Sequence, residues 1–73
     1  MPVFAQRLFN LRESKPVLQK ELAGLLQVSV RQYQRYEKGE QEPNIDKLIA
    51  LADYFGVSLD YLVGRSDNPE INE

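Results

Sequence analysis

The chain has 73 residues, a length that sets one domain at most. It contains no cysteine and no histidine, which excludes disulfides, thiol nucleophiles, imidazole bases and zinc sites with Cys or His ligands. Its 42% hydrophobic content favours a packed core over disorder. We therefore expect neither an enzyme nor a protein with a metal or cofactor.

The N-terminus has no basic start followed by an apolar run of about seven residues, so no secretory signal is predicted. No stretch approaches the roughly 20 apolar residues that span a bilayer. We expect a cytoplasmic protein without a membrane partner.

The net charge of −2 at pH 7 is unevenly distributed along the chain. Residues 1–38 contain seven basic and three acidic side chains, a charge of +4, whereas residues 39–73 contain two basic and eight acidic ones, a charge of −6. The basic half could face phosphate groups, although an uneven solvated surface would give the same count.

Apolar residues recur at helical spacing in five segments, and no segment alternates as a strand does. Pro2 suits the opening turn of the first helix. The predicted helices cover residues 3–14, 19–26 and 30–38, a fourth segment with Ile45, Leu48, Ile49, Ala52 and Phe55 on one face, and a short last segment with Leu59, Leu62 and Val63. The fold class is therefore all-α, a compact five-helix bundle.

Capping residues mark the ends of these helices. Ser29 and Gln32 form a capping-box pattern before the third helix, and Asn44 and Ser58 precede the fourth and fifth. The glycines that end the last three helices are Gly39, Gly56 and Gly64. We predict a domain over residues 1–64 and a polar, frayed tail over residues 65–73.

The second and third helices have the proportions of a helix-turn-helix, over about residues 19–38. Ala23 is small enough to let another helix cross closely. Tyr33 and Tyr36 lie on the inward stripe of the third helix, which favours packing over a role as stacking platforms for single strands. The other side chains of this helix are of types that read base edges or grip phosphates: Arg31, Gln32, Gln34 and Arg35.

An ordered set of motifs runs through about 60 residues of the chain. They are Arg7-Leu8-x-x-Leu11-Arg12, Gln19-x-Glu21-Leu22-Ala23, Val28-Ser29, Tyr36-Glu37-Lys38-Gly39, Pro43, Leu48-Ile49-x-Leu51-Ala52 and Phe55-Gly56-Val57-Ser58-Leu59-Asp60-Tyr61-Leu62-x-Gly64. In this order and spacing they resemble the phage-repressor and Cro-type helix-turn-helix family, also called the xenobiotic response element family, of bacterial and phage transcriptional regulators. The resemblance implies a lambda repressor-like DNA-binding domain.

The resemblance also implies roles for individual residues. Arg12 and Glu37 match a pair that forms a partly buried salt bridge. The residues implied in base contacts are Val30, Arg31, Gln32 and Arg35. The residues implied in backbone contacts are Gln19, Gln34, Lys38, Gly39 and Asn44. Two alternatives stay open, because Gln32 could instead close the capping box and Val30 could be only a helix-start residue.

Three positions depart from the family pattern. Leu18 replaces the usual capping residue before the second helix, so that cap must come from backbone, water or DNA. Gln27 stands where glycine is usual in the turn, and a left-handed backbone there carries a strain of about 1 kcal/mol. Pro16 replaces a frequent glycine and stiffens the first loop.

One unit of this size reads too few base pairs to be selective in a genome, so we expect a homodimer on a palindromic operator. The candidate dimer residues are Leu59, Tyr61, Leu62, Val63 and Ile71, with Phe9 and Leu25 as further exposed apolar candidates.

The predicted function is sequence-specific binding of double-stranded DNA by a transcriptional regulator, specifically a repressor. One alternative is a DNA-binding module or antitoxin-like protein that a regulatory partner protein controls. Another is a helical protein-interaction adaptor that has lost DNA binding. The basic half with Arg31 and Arg35 argues against the adaptor, which has no evident use for those charges.

Overall fold

A computed structural model of the chain describes residues 3–71, so Pro2 and the last two residues of the predicted tail lie outside the described residues. This part consists of five helices and no strand. The helices are α1 (Val3–Ser14), α2 (Gln19–Leu26), α3 (Val30–Lys38), α4 (Ile45–Phe55) and α5 (Leu59–Val63). The all-α, five-helix prediction is confirmed, with the predicted ends of the first three helices.

The predicted caps are present at the starts of α3, α4 and α5. The side chains of Ser29, Asn44 and Ser58 each accept a hydrogen bond of 3.0 Å from the backbone N–H three residues later. Gly64, which ends α5 at φ 89°, lies so close to α1 that a Cβ there would meet the Val3 side chain at 2.7 Å. A glycine at this position therefore meets both a backbone and a packing requirement.

The departures in α2 have the predicted structural effects. Leu18 has extended backbone before the helix and supplies no side-chain cap. Gln27 is left-handed at φ 59°. Its N–H bonds the Gly24 carbonyl at 3.2 Å, and the Val28 N–H bonds the Ala23 carbonyl at 3.0 Å, so the end of α2 is satisfied despite the strain.

The core lies where α1 packs on α3 and α5, and where α2 and α5 pack on α4. Its largest fully buried side chains are Leu8, Leu22, Tyr33, Leu51 and Leu62. Tyr33 and Tyr36 are both buried, with their rings edge to face at 6.4 Å, which confirms that they are packing residues.

Two predictions about the surface need correction. Of the residues predicted on one face of the fourth helix, Ala52 is buried, whereas Ile45 and Ile49 are 57% and 43% exposed. The tail is not frayed in its described part. The Ser58 N–H donates to the Pro69 carbonyl at 2.9 Å, which holds the tail against the start of α5.

Candidate nucleic-acid interface

The inner and outer sides of the helix-turn-helix have different chemistry. α2 buries Leu22, Ala23 and Leu26, and α3 buries Tyr33, Tyr36 and Glu37. These inner sides are held against each other and the core, which leaves the opposite side of α3 facing solvent. The fold therefore presents the outer side of α3 on a supported helix.

Three cations share that outer side. Arg31, Arg35 and Lys38 are exposed and lie at spacings of four and three residues, which places them along one helix face. Within residues 3–71 their side chains form no hydrogen bond or salt bridge. Val30 begins the same helix and is 40% exposed. Guanidinium and ammonium groups that are free on a helix face suit phosphate oxygens and guanine edges.

Gln32 lies on the flank of α3 and is half-buried. Its backbone N–H donates to the Ser29 hydroxyl at 3.0 Å, which is the first half of the predicted capping box. Its side chain does not return to the Ser29 backbone. The Gln32 Nε2 donates instead to Oε1 of Gln41 in the loop after α3, so the closed capping box is not formed.

The predicted pair of Arg12 and Glu37 is present between α1 and the end of α3. Arg12 Nε lies 2.5 Å from Glu37 Oε2, and Arg12 Nη2 donates to Glu37 Oε1 at 3.2 Å. Both side chains are largely buried, at 14% and 6% exposure. The hydrogen bond to Glu37 raises the pKa of Arg12 above its ordinary value, against the opposing effect of desolvation.

Two glutamines extend this pair towards the surface. Gln19, the first residue of α2, donates from Nε2 to Glu37 Oε1 at 3.2 Å. Gln34 of α3 donates from Nε2 to Gln19 Oε1 at 3.1 Å. Both glutamines are half-buried and line an open cleft with Phe9, Glu37 and Lys38. The network fixes amide groups beside the uncapped start of α2, where free backbone N–H groups favour an anion.

The loop from Gly39 to Asn44 contains groups that could bind phosphate and groups that would repel it. The Gly39 N–H is already bonded to the Tyr36 carbonyl at 3.2 Å, so a contact of this residue with phosphate rests on proximity alone and stays a prediction. The Oδ1 of Asn44 caps α4. Within residues 3–71 the side-chain N–H groups of Asn44 donate to no other residue, so they are available to a ligand. Glu40 and Glu42 are exposed and would repel phosphate.

Sequence reasoning predicted the partner of Arg12 but missed those of Arg7 and Lys15, two other basic residues of the first half. Arg7 Nη1 donates to the Tyr61 and Ser66 carbonyls at 2.5 Å, and Nη2 pairs with Asp67 at 2.7 Å. Arg12 is paired with Glu37, and Lys15 donates to the Tyr54 carbonyl at 3.1 Å. Four of the seven basic residues are exposed and form no side-chain hydrogen bond or salt bridge within residues 3–71: Lys20, Arg31, Arg35 and Lys38. All four lie on α2 and α3. The unpaired positive charge is therefore confined to a smaller part of the chain than the charge count for residues 1–38 suggested.

The candidate dimer residues do not form one exposed surface. Leu62 is fully buried within its own core, so its assignment to a dimer surface is wrong. Tyr61 is half-buried with the Arg7 guanidinium 4.2 Å from its ring centre, and Leu59 and Val63 are half-buried. Ile71 is 54% exposed.

A groove lined by both apolar and polar side chains lies between α4, α5 and the tail. Ile49, Leu59 and Ile71 line it, and Asp53, Asp60 and Glu70 contribute carboxylates to its lining. Phe9 and Leu25 are 40% and 43% exposed, as predicted. Ile49 was not among the predicted dimer residues, because the sequence placed it only on one face of the fourth helix.

Within residues 3–71, no helix is long and apolar enough to cross a membrane. The same residues contain no group of three Asp, Glu, His or Cys side chains that could hold a metal ion.

Comparison with known proteins gives a family match over most of the described helices. The helix-turn-helix family model matches residues 8–62. The HTH-type transcriptional regulator YobD of Bacillus subtilis is 34% identical over 68 residues, which are 93% of this chain and 61% of that protein. The cryptic phage CTXphi transcriptional repressor RstR of Vibrio cholerae gives the same identity and coverage. The chain thus spans about three fifths of the length of these curated relatives.

Two solved structures are also similar. A transcriptional regulator from Listeria innocua superposes with a TM-score of 0.81 at 38% identity, over 96% of this chain and 61% of that one. The P22 c2 repressor, in complex with a synthetic operator, superposes with a TM-score of 0.79 at 27% identity, over 90% of this chain and all of that one. These relatives are regulators of transcription and not enzymes. The chain belongs to the phage-repressor and Cro-type helix-turn-helix family.

Proposed function

We propose that the protein is a transcriptional regulator, acting as a repressor, that binds double-stranded DNA sequence-specifically with α3 in the major groove. The observation that carries the proposal is the outer side of α3, where Arg31, Arg35 and Lys38 are exposed without partners within residues 3–71. The similarity to the P22 c2 repressor, which was solved in complex with a synthetic operator, supports DNA binding.

The proposed base contacts come from the first two turns of α3. Arg31 and Arg35 suit guanine O6 and N7, Gln32 suits adenine N6 and N7, and Val30 suits a thymine methyl group. The proposed backbone contacts are Gln19, Gln34, Lys38, Gly39 and Asn44. The assignment of Gln19 and Gln34 is supported by the hydrogen bonds that hold their side-chain amides at the uncapped start of α2.

The proposal includes a homodimer on a palindromic operator, because one α3 reads too few base pairs for selectivity. The groove with Ile49, Leu59 and Ile71 is the candidate surface for that contact. We further propose that residues 1–64 form the DNA-binding domain, and that the protein acts in the cytoplasm without catalysis, metal or cofactor.

The experiment that tests the proposal is selection from a randomised duplex pool at moderate salt, followed by sequencing of the retained DNA. An enriched palindrome with half-sites about one helical turn apart is the expected result. Retention without enrichment would leave only electrostatic binding, and no retention at low salt would favour the adaptor.

Substitutions on α3 test the groove assignment directly. Arg31→Ala and Arg35→Ala should each weaken binding to the selected operator by about 1 to 3 kcal/mol without loss of helicity. Lys38→Ala should instead weaken all sequences similarly and reduce the salt dependence. Arg65→Ala is the matched control, because this arginine is exposed at the end of α5 and should not change operator affinity. Unchanged binding in both α3 variants would contradict the assignment.

The groove between α4, α5 and the tail, with its exposed Ile49 and Ile71, favours one second candidate, a DNA-binding module controlled by a regulatory partner protein. Analytical ultracentrifugation separates the two at tens of micromolar, roughly the range of weak association. A dimer supports the free-standing regulator, and a strict monomer supports the partner-controlled module.

A further inference from the structure

Gln32 differs from the other proposed base-reading residues because its polar side chain is already bonded to another part of the chain. Its Nε2 donates to Oε1 of Gln41. The side chains of Arg31 and Arg35 have no such bond within residues 3–71, so binding must immobilise them. Gln32 is thus oriented before DNA arrives.

The loop that carries Gln41 is itself supported on both sides. Before it, the Glu40 N–H donates to the Arg35 carbonyl at 3.0 Å. After it, Pro43 is buried and Asn44 caps α4 through the Lys47 N–H at 3.0 Å. An acceptor on a segment fixed in this way can orient the amide that it binds.

The hydrogen-bonding capacity of an amide determines what this orientation achieves. A glutamine side chain has two N–H donors and an oxygen with two lone pairs. Gln41 takes one Gln32 N–H, which leaves one N–H and the oxygen, the two groups needed to bind adenine N7 and N6 together. Reversal of the Gln32 amide would exchange donor and acceptor, and the bond to Gln41 would then require the Gln41 amide to reverse as well.

We propose that Gln41 is a specificity-determining residue that positions the Gln32 amide for base readout without touching the base itself. The inference rests on the proposed function, because it requires Gln32 to face a base. It adds a residue of the loop after α3 to those that decide which sequence is bound.

The test uses the full chain and the operator found by selection. Binding is measured by fluorescence anisotropy on duplexes that carry each of the four base pairs at every operator position. Gln32→Ala first identifies the base pair whose preference depends on Gln32. Gln41→Ala should then lower the preference at that same base pair by about 3- to 10-fold, with affinity for an unrelated duplex unchanged. Circular dichroism checks that the helices remain.

Two further variants separate positioning from other roles. Gln41→Glu keeps an acceptor oxygen, so it should retain the base preference while its added charge weakens binding to all duplexes equally. Gln6→Ala, which removes an exposed glutamine of α1, is the matched control and should change nothing.

The proposal is overturned if Gln41→Ala weakens all duplexes equally, as loss of a phosphate contact would. It is also overturned if Gln41→Ala leaves the preference unchanged, or if Gln32→Ala alters no base preference while the wild-type protein still selects a sequence. A wild-type protein that selects no sequence overturns the proposed function together with this inference.

Discussion

Two arginines of α1 are both largely buried, yet the structure compensates their charges in different ways. Arg12 faces the helix-turn-helix and pairs with the buried carboxylate of Glu37. Arg7 faces α5 and the tail, where it bonds two backbone carbonyls and the fully exposed carboxylate of Asp67. Their side chains are exposed to similar extents, 14% and 17%, so burial alone does not distinguish them.

The two arginines differ in how much stability is lost when the acidic partner is removed. Removal of Glu37 leaves the buried Arg12 with one backbone acceptor, the Val17 carbonyl at 3.3 Å from Nη1, and without an opposite charge at Nε and Nη2. Removal of Asp67 leaves Arg7 with two carbonyl oxygens, which are partial charges fixed by the backbone. A charge held mainly by backbone carbonyls is therefore less sensitive to single side-chain substitutions than a charge held mainly by one buried carboxylate.

The largest expected effect is that of Glu37→Ala. We expect a loss of about 3 kcal/mol in the free energy of unfolding, towards the lower end for buried pairs because part of Arg12 remains exposed. Urea denaturation followed by circular dichroism measures it. Glu13→Ala is the control, because Glu13 is exposed and lies 3.8 Å from Arg12, and it should have little effect.

The same pair allows a sharper version of this test. Joint replacement, Arg12→Met with Glu37→Leu, removes both charges and should recover most of the stability that Glu37→Ala loses. A double variant as unstable as Glu37→Ala would show that the uncompensated charge is not the cause.

Arg7→Ala should have the next largest effect, a loss of about 2 kcal/mol, because it removes charge-assisted bonds to the Tyr61 and Ser66 carbonyls. Asp67→Ala should give no measurable change, because that carboxylate is fully exposed. Thermal unfolding of the two variants measures the difference. Equal losses in both would mean that the carboxylate, and not the backbone, holds Arg7.

A smaller effect than that of Arg7→Ala is expected at neutral pH for Tyr33→Phe. The buried Tyr33 hydroxyl has no hydrogen-bond partner within the described chain, so its removal should change stability by less than about 1 kcal/mol at pH 7. Desolvation, together with the Glu37 carboxylate, raises the pKa of Tyr33 above its ordinary value of 10.0.

This shift has a defined pH dependence. The unfolded chain can ionise Tyr33 above about pH 10 while the folded chain cannot, so the stability from this group is complete below that pH and falls as pH rises. The wild-type protein should lose about 1.4 kcal/mol more than Tyr33→Phe at pH 11, measured by urea denaturation at pH 8 and pH 11. Equal losses would contradict a neutral, buried Tyr33.

The fold was predictable because local capping residues mark the ends of its helices. Ser29, Asn44 and Ser58 cap helices, and their cap hydrogen bonds are all formed. The burial of α4 was less predictable, because the predicted face contains the buried Ala52 together with the exposed Ile45 and Ile49. Their spacing fits an inward stripe as well as an outward one, and only the packing of α4 on its neighbours decides between them.

The exposed cations of the candidate site were predictable from the sequence, whereas the hydrogen bonds that hold the neighbouring side chains were less so. Arg31 and Arg35 follow from the helical period of α3. Arg7 could not be assigned, because its acceptors are backbone carbonyls 54 and 59 residues away, and backbone oxygens leave no mark in a sequence pattern. Gln41 was missed for a related reason, since the loop after α3 has no period from which a contact can be read.

The left-handed turn at Gln27 has a consequence for how this molecule could change over evolution. Because a non-glycine residue occupies that strained conformation, the turn is imposed by the packing of Leu22, Ala23 and Leu26 under α3 rather than by its own residue type. The outer side chains of α3 take no part in that packing. Arg31 and Arg35 can therefore be exchanged while the helix keeps its place, and new specificity is reachable without redesign of the scaffold.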